Sequence, residues 1–161
     1  MPLAIAIVGT SGSGKTVVAT SLVQRLAAKG FRIAAVKHAA HGHQVDRPGK
    51  DSDRLFQAGA TRVIISSPGQ RTSIERMEDD SPLEDVLASL DSAYDLVLAE
   101  GFKGSSVPKI LVLGTDPIWP LPQNLIAVVS DGQRVEGVPW YNIKDMDGLA
   151  RQIEARILAG C

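Results

Sequence analysis

The chain has a single cysteine, Cys161, the last of its 161 residues. An internal disulfide is therefore excluded, and the cysteine usage suits a reducing compartment. Neither sign of charge is in excess: 17 Lys and Arg stand against 18 Asp and Glu, for a formal charge of −1. That balance offers no general attraction to nucleic acid or to an anionic membrane. No apolar run approaches the length of a bilayer span. The apolar N-terminus lacks a basic flank and runs straight into a glycine-rich loop, so a core strand is expected there rather than a signal peptide. Aromatic residues make up only 4%. Trp119 and Trp140 lie beside prolines and are read as packing rather than as stacking platforms. There is no internal repeat, low-complexity tract or dividing linker. What remains is a soluble, cytoplasmic protein with one domain over residues 1–161, long enough to bury roughly 70% of its unfolded surface.

The most informative segment is Gly9-Thr10-Ser11-Gly12-Ser13-Gly14-Lys15-Thr16. It follows the apolar run Leu3 to Val8 and opens a helix-like stretch, the strand–loop–helix context that a phosphate-binding loop requires. Its glycines allow a tight turn that aims backbone N–H groups at oxygens, and the helix N-terminus adds positive potential. Thr10, Ser11, Gly12, Ser13 and Gly14 are the expected phosphate cradle. Lys15 can reach the β- and γ-phosphates, and the Thr16 hydroxyl can ligate Mg²⁺. A nucleoside triphosphate or diphosphate is the expected ligand.

Behind the loop, Val18, Leu22 and Leu26 recur at helical spacing, widened by Ala19 and Val23, and Gly30 supplies a stop. Arg32 to Lys37 reads as a strand. Asp51 to Ala58 reads as a short helix ended by Gly59, Arg62 to Ile65 as a third strand and Ser73 to Met77 as a weaker one. Ser81 is a plausible cap with Pro82 at the first helical position and Leu83, Val86, Leu87 and Leu90 facing inward. Leu96 to Ala99, Ile110 to Leu113 and Leu125 to Val129 are buried-strand runs, and a last helix is expected from about Asp145 to Leu158. Strands alternating with helices imply an α/β fold of the P-loop NTPase kind, a mostly parallel twisted sheet with helices on both faces.

In such folds ligands lie beyond the carboxyl ends of the strands. Lys37 and His38, Ser66 and Ser67, Glu100 and Gly101, and Ser130 and Asp131 are expected at that edge. Asp95, at the opposite end of its strand, is expected to be solvated. Glu100 is the candidate carboxylate on the metal side, with a strand-terminal surface role as the alternative. All three histidines fall at His38, His41 and His43. With no cysteine nearby, a solvated or substrate-facing loop is favoured over a transition-metal site. In the polar turn that follows, Arg47 and Lys50 can hold an anion, and Asp46 or Asp51 can bind metal or water. Asp131, at a strand end, is the candidate reader of a guanine base, with an ordinary turn aspartate as the alternative. The usual Asn-Lys-x-Asp motif is absent.

Lys37-His38, His41, Asp46-x-Pro48-Gly49-Lys50-Asp51-Ser52-x-Arg54 and Ala58-Gly59-Ala60 resemble the MobB family, molybdopterin-guanine dinucleotide biosynthesis adaptors. The phosphate loop, Glu100-Gly101-Phe102-Lys103 and Pro108-Lys109-Ile110 look like its other signature stretches. The resemblance implies a GTP-binding homodimer with weak Mg²⁺-dependent GTPase activity. Such a protein would serve a MobA-type guanylyltransferase that joins GMP to the molybdopterin cofactor. It also implies Gly12, Gly14, Lys15 and Thr16 for phosphate and magnesium, Asp51 and Glu100 as metal-side carboxylates, and Asp131 for guanine. Lys37, His38, His41, Arg47, Lys50 and Lys103 then suit a second anionic ligand. The chain departs from the family pattern at Ala40, where many members have a second histidine, and at Leu111 to Gly114. Two further readings share the loop: a small-molecule kinase with Arg71 and Arg76 in a lid, and a metal-delivery GTPase using the histidines. No glutamine or arginine finger is identifiable, which implies slow hydrolysis.

Overall fold

The computed structural model describes residues 2–39, 42, 47–90, 93–115 and 120–160. In chain order its elements are β1 (Leu3–Val8), α1 (Lys15–Ala27), β2 (Ile33–Lys37), α2 (Asp51–Gln57), β3 (Arg62–Ser67) and β4 (Gln70–Glu75). Then come α3 (Leu83–Ser89), β5 (Leu96–Glu100), β6 (Lys109–Val112), β7 (Leu125–Ser130), β8 (Trp140–Asn142) and α4 (Asp147–Ala159). Residues Met1–His38 and Pro82–Cys161 form one compact unit, and Ala39–Ser81 form a second.

In the first unit, six strands pair in the order β2-β5-β1-β6-β7-β8. Every pairing is parallel. The strands at the centre are buried on both faces, which is why they are continuous apolar runs rather than alternations. The order of strands and the right-handedness of parallel crossovers decide what covers each face. α1 carries the chain from β1 toward β2, whereas the connections β5–β6, β6–β7 and β7–β8 run toward β8, so α1 lies on one face and these connections on the opposite one. On the α1 side, Ile5, Ile7, Leu98, Ile110 and Val129 meet Val18, Leu22 and Leu26 of α1 and Leu149 and Ile153 of α4. α4 returns to this face beside α1, where Arg25 Nε lies 2.6 Å from Asp147 Oδ1 and Lys29 pairs with Glu154. The other face buries Ala6, Val8, Leu111 and Val128 under Val107, Leu113, Leu121, Val135 and Val138 from the connections. α3 lies in the return toward β5 and buries Leu83.

The predicted stripe of α1 is the buried one, and its stop is a Schellman turn: Gly30 N donates to Ala27 O and Phe31 N to Leu26 O. Three expectations change. α3 begins at Leu83 with Pro82 in the capping position and no side-chain cap, so Ser81 is not the N-cap. Asp95 is half-buried rather than solvated: its Oδ2 accepts from Arg32 N at 2.6 Å, tying β5 to the start of β2. β8 was not foreseen, because Trp140–Asn142 has only three residues and no apolar alternation.

The second unit is α2 packed on the antiparallel hairpin β3–β4. Ser66 and Ser67 therefore belong to a hairpin, where Ser67 Oγ donates to Gln70 O, and not to an end of the parallel sheet. The hairpin was hidden because β3 reads as one more buried run, although Ile64 and Ile65 are exposed. Arg76 donates to Phe56 O at 2.7 Å and lies 4.3 Å over its ring, which holds the strand's exit against α2.

Candidate nucleotide site

The loop between β1 and α1 sits on the sheet with no spare room. A Cβ on Gly9 would lie 2.4 Å from Val112 O and 2.6 Å from Ser13 Oγ, so only glycine fits there. Gly14, with φ of 98°, caps α1, and its carbonyl accepts from Val18 N at 3.0 Å. Ser13 is buried and its Oγ has no hydrogen-bond partner among the described residues. Ser11 and Gly12 are exposed at the crest. The Lys15 ammonium folds back on the loop, donating to Gly9 O at 3.1 Å and Thr10 O at 2.6 Å. The Lys15 ammonium thus lies against the backbone of the loop, the segment with which loops of this pattern hold phosphate.

Thr16, on the first turn of α1, faces β5. Its Oγ1 donates to Glu100 Oε2 at 2.9 Å, and Lys37 Nζ from β2 lies 3.7 Å from Glu100 Oε1. A hydroxyl, a carboxylate and an ammonium from three separate elements therefore meet at the carboxyl end of the sheet. Beyond Glu100 the chain turns back on itself. Gly101 has φ of 98°, its N donates to Ile7 O, and a Cβ there would lie 2.9 Å from His38 Cβ. Phe102 also takes positive φ, 51°, and its ring centroid lies 5.0 Å from that of His38. A side chain held in the left-handed region costs free energy, and such residues cluster at functional sites. Lys103 is exposed on this turn.

Asp131 follows β7 and is exposed, with Lys144 Nζ at 3.6 Å. Ser130 before it is buried and holds the turn: its Oγ accepts from Trp140 Nε1 at 2.8 Å and from Gly132 N at 3.3 Å. Trp140 is thus a packing residue, with Arg134 over its ring. Trp119, Asp46, His41 and His43 lie outside the described residues. Arg47, Lys50 and Asp51 belong to the second unit, where Lys50 precedes α2 and Asp51 opens it.

Sequence reasoning missed the role of Lys109. Its side chain is buried, donating to Ser105 O at 2.5 Å and Val107 O at 3.1 Å. Burial pushes its pKa down, partly offset by the charge of Glu84. Glu84 Oε1 in turn accepts from Ser106 N and Oγ. Its own backbone N–H, then these two donors, hold the Glu84 carboxyl below its usual range. Lys109 therefore fastens the end of the loop between β5 and β6 through the carbonyls of Ser105 and Val107. A lysine opening an apolar strand run was the available clue.

Among the described residues no group of three or more His, Cys, Asp and Glu is placed to hold a metal ion. One carboxylate and one hydroxyl suit a hard cation that arrives with a polyphosphate and keeps most of its waters.

The parallel sheet, the glycine loop between β1 and α1, and the strand-end carboxylate on the helix's first hydroxyl define a protein of the P-loop NTPase fold. A family model described as "Molybdopterin guanine dinucleotide synthesis protein B" matches residues 4–131. The chain belongs to this family, MobB. It is 38% identical over 155 residues to the molybdopterin-guanine dinucleotide biosynthesis adapter protein of Escherichia coli (strain K12), covering 91% of this chain and 88% of that protein. Its counterpart in Haemophilus influenzae is 37% identical over 120 residues, 74% of this chain and 67% of that protein. A crystal structure of molybdopterin-guanine biosynthesis protein B superposes with a TM-score of 0.79 at 31% identity, over 96% of this chain and 99% of that one. Bacillus subtilis MobB, with a TM-score of 0.77 at 23% identity, shares the fold over 96% of this chain and 97% of its own.

Proposed function

We propose that the chain is a GTP-binding adapter in the synthesis of molybdopterin guanine dinucleotide, hydrolysing GTP slowly and assisting the transfer of GMP to molybdopterin. Its partner in this reading is a MobA-type guanylyltransferase. The observation that carries the proposal is the contact between Thr16 Oγ1 and Glu100 Oε2, 2.9 Å apart beside a phosphate loop. That pairing has little value for the fold alone, since both groups lie at the sheet's open edge. Family membership supplies the pathway.

In this reading the amides of Thr10 to Gly14 and the Lys15 ammonium bind the polyphosphate, and Asp131 accepts from the guanine N1 and N2 donors. Mg²⁺ would be held by Thr16 with Glu100, directly or through water. Bound there, the ion would neutralise charge on the β- and γ-phosphates. Lys37, His38 and Lys103, around the Glu100–Phe102 turn of the first unit, form the proposed contact set for the second, anionic pterin ligand. Slow turnover follows from electrostatics that lack an identified arginine finger, which alone contributes several orders of magnitude in rate. Exposed Leu55, Ile64 and Met77 of the second unit support self-association as a homodimer.

The test is a paired titration of the intact protein with GTP and molybdopterin, alone and together, in Mg²⁺. Saturable binding of both supports the adapter reading. Transfer of phosphate from GTP to an acceptor rather than to water would favour a kinase instead, though Arg76, one of its two lid candidates with Arg71, is already engaged with Phe56.

A further inference from the structure

The nucleoside end of a bound triphosphate has one direction in which to run. The metal-side pair of Thr16 and Glu100 sits on the β5 side of β1. With the terminal phosphates there, the base projects the other way, over β6, β7 and β8. Two strand steps span about 10 Å, within reach of a ribose and purine from the loop. Asp131 ends β7 in that region. The turn that follows β8 ends there too, and no sequence motif marked it.

That turn is held by its backbone. Ile143 N donates to Ser130 O at 3.1 Å, and Ile143 Cδ1 lies 3.0 Å from where a Cβ on Gly14 would stand. Asn142 Oδ1 accepts from Lys144 N at 2.8 Å, and Asn142 O accepts from Asp145 N at 3.0 Å. Lys144 is thus carried on a segment pinned both to β7 and to the start of α1. Its Nζ reaches to 3.6 Å from Asp131 Oδ1, with side-chain exposures of 79% and 69%. A pair so exposed adds little to stability. Its attraction does draw the Asp131 carboxylate toward the turn after β8.

We propose that Lys144 is a positioning residue for guanine, aiming Asp131 at the N1 and exocyclic N2 donors while its aliphatic stem walls one side of the ring. The sequence's missing Asn-Lys-x-Asp motif is replaced by residues from two neighbouring strand ends. The proposal rests on the GTP-binding reading above.

Wild type, Lys144→Ala and Lys144→Arg are titrated with GTP and with ITP, which lacks the exocyclic amine, in Mg²⁺, and their melting temperatures are recorded. Wild type is expected to prefer GTP, Lys144→Ala to lose about tenfold of that preference, and Lys144→Arg to keep most of it. All three are expected to melt together. An unchanged GTP-to-ITP ratio in Lys144→Ala overturns the proposal, whether or not its melting temperature falls. Wild type that binds neither nucleotide overturns the GTP-binding reading itself, which separates the two failures.

Discussion

Gly9→Ala puts the phosphate loop's packing to the sharpest use. The added Cβ would stand 2.4 Å from Val112 O and 2.6 Å from Ser13 Oγ. Ser13 Oγ can rotate away, but Val112 O belongs to the backbone of a fully buried strand residue and cannot. An ordinary contact needs roughly another 1 Å, so either β6 shifts or the loop lifts. Overpacking of this kind costs about 1–3 kcal/mol. For a chain of this size that lowers the melting temperature by about 2–12 °C. If the loop is what lifts, its amides leave the phosphate positions and GTP affinity falls at least tenfold, about 1.4 kcal/mol. Gly104→Ala is the control, because a Cβ there meets nothing within 4 Å among the described residues and its φ lies outside the left-handed region. Thermal melts and calorimetric titration with GTP read both effects. If Gly9→Ala matched Gly104→Ala in melting temperature and in affinity, the proposed seat of the loop on Val112 would be wrong.

Other expectations follow from single contacts. Glu100→Gln keeps an acceptor for Thr16 Oγ1 but removes the charge, so the gain in GTP affinity on adding Mg²⁺ should shrink about tenfold with little change in melting; an unaltered magnesium dependence in chelator-controlled titrations would contradict the metal-side role. The carboxyls of Glu84 and Asp147 are held below their usual range, the first by its own amide and Ser106, the second by Arg25. Their folded pKa values lie below the unfolded ones, so their stabilisation is complete above about pH 5 and lost as pH falls through the folded values. Glu84→Gln should flatten that acid limb in melts between about pH 5 and 2, and an unchanged slope would remove Glu84 from it. If the proposed homodimer forms through the exposed apolar residues of the second unit, Ile64→Asp should lower the mass toward monomer in sedimentation equilibrium without unfolding the chain, because Ile64 is 57% exposed; an unchanged mass would contradict a dimer contact at Ile64.

Much of this arrangement was legible from the chain because parallel strands leave two kinds of trace. Central strands are apolar without interruption, as Leu96 to Ala99 shows, and the residue that ends such a run emerges at the ligand edge, as Glu100 does. The carboxylate's partner could be anticipated as well, since the phosphate-loop pattern fixes Thr16 on the first helical turn. The same logic misplaced Ser66 and Ser67, because Arg62 to Ile65 has the composition of a buried strand but pairs with Gln70–Glu75 in a hairpin. It also passed over β8, whose three residues carry no periodicity and whose place is set by the pairing of Ser130 with Asn142. Lys109 was seen only as part of a familiar tripeptide. Its function as a buried tether depends on carbonyls of Ser105 and Val107, and no side-chain pattern reports where carbonyls point.

The central claim is that the loop from Gly9 to Thr16 holds a guanine nucleotide with Mg²⁺. Isothermal titration of the intact protein with GTP and with ATP in Mg²⁺, repeated on Lys15→Ala, tests it most directly. The account predicts GTP binding at least about tenfold tighter than ATP, and no measurable GTP binding to Lys15→Ala. Equal affinity of wild type and Lys15→Ala for GTP, or no triphosphate binding by wild type at all, would contradict it.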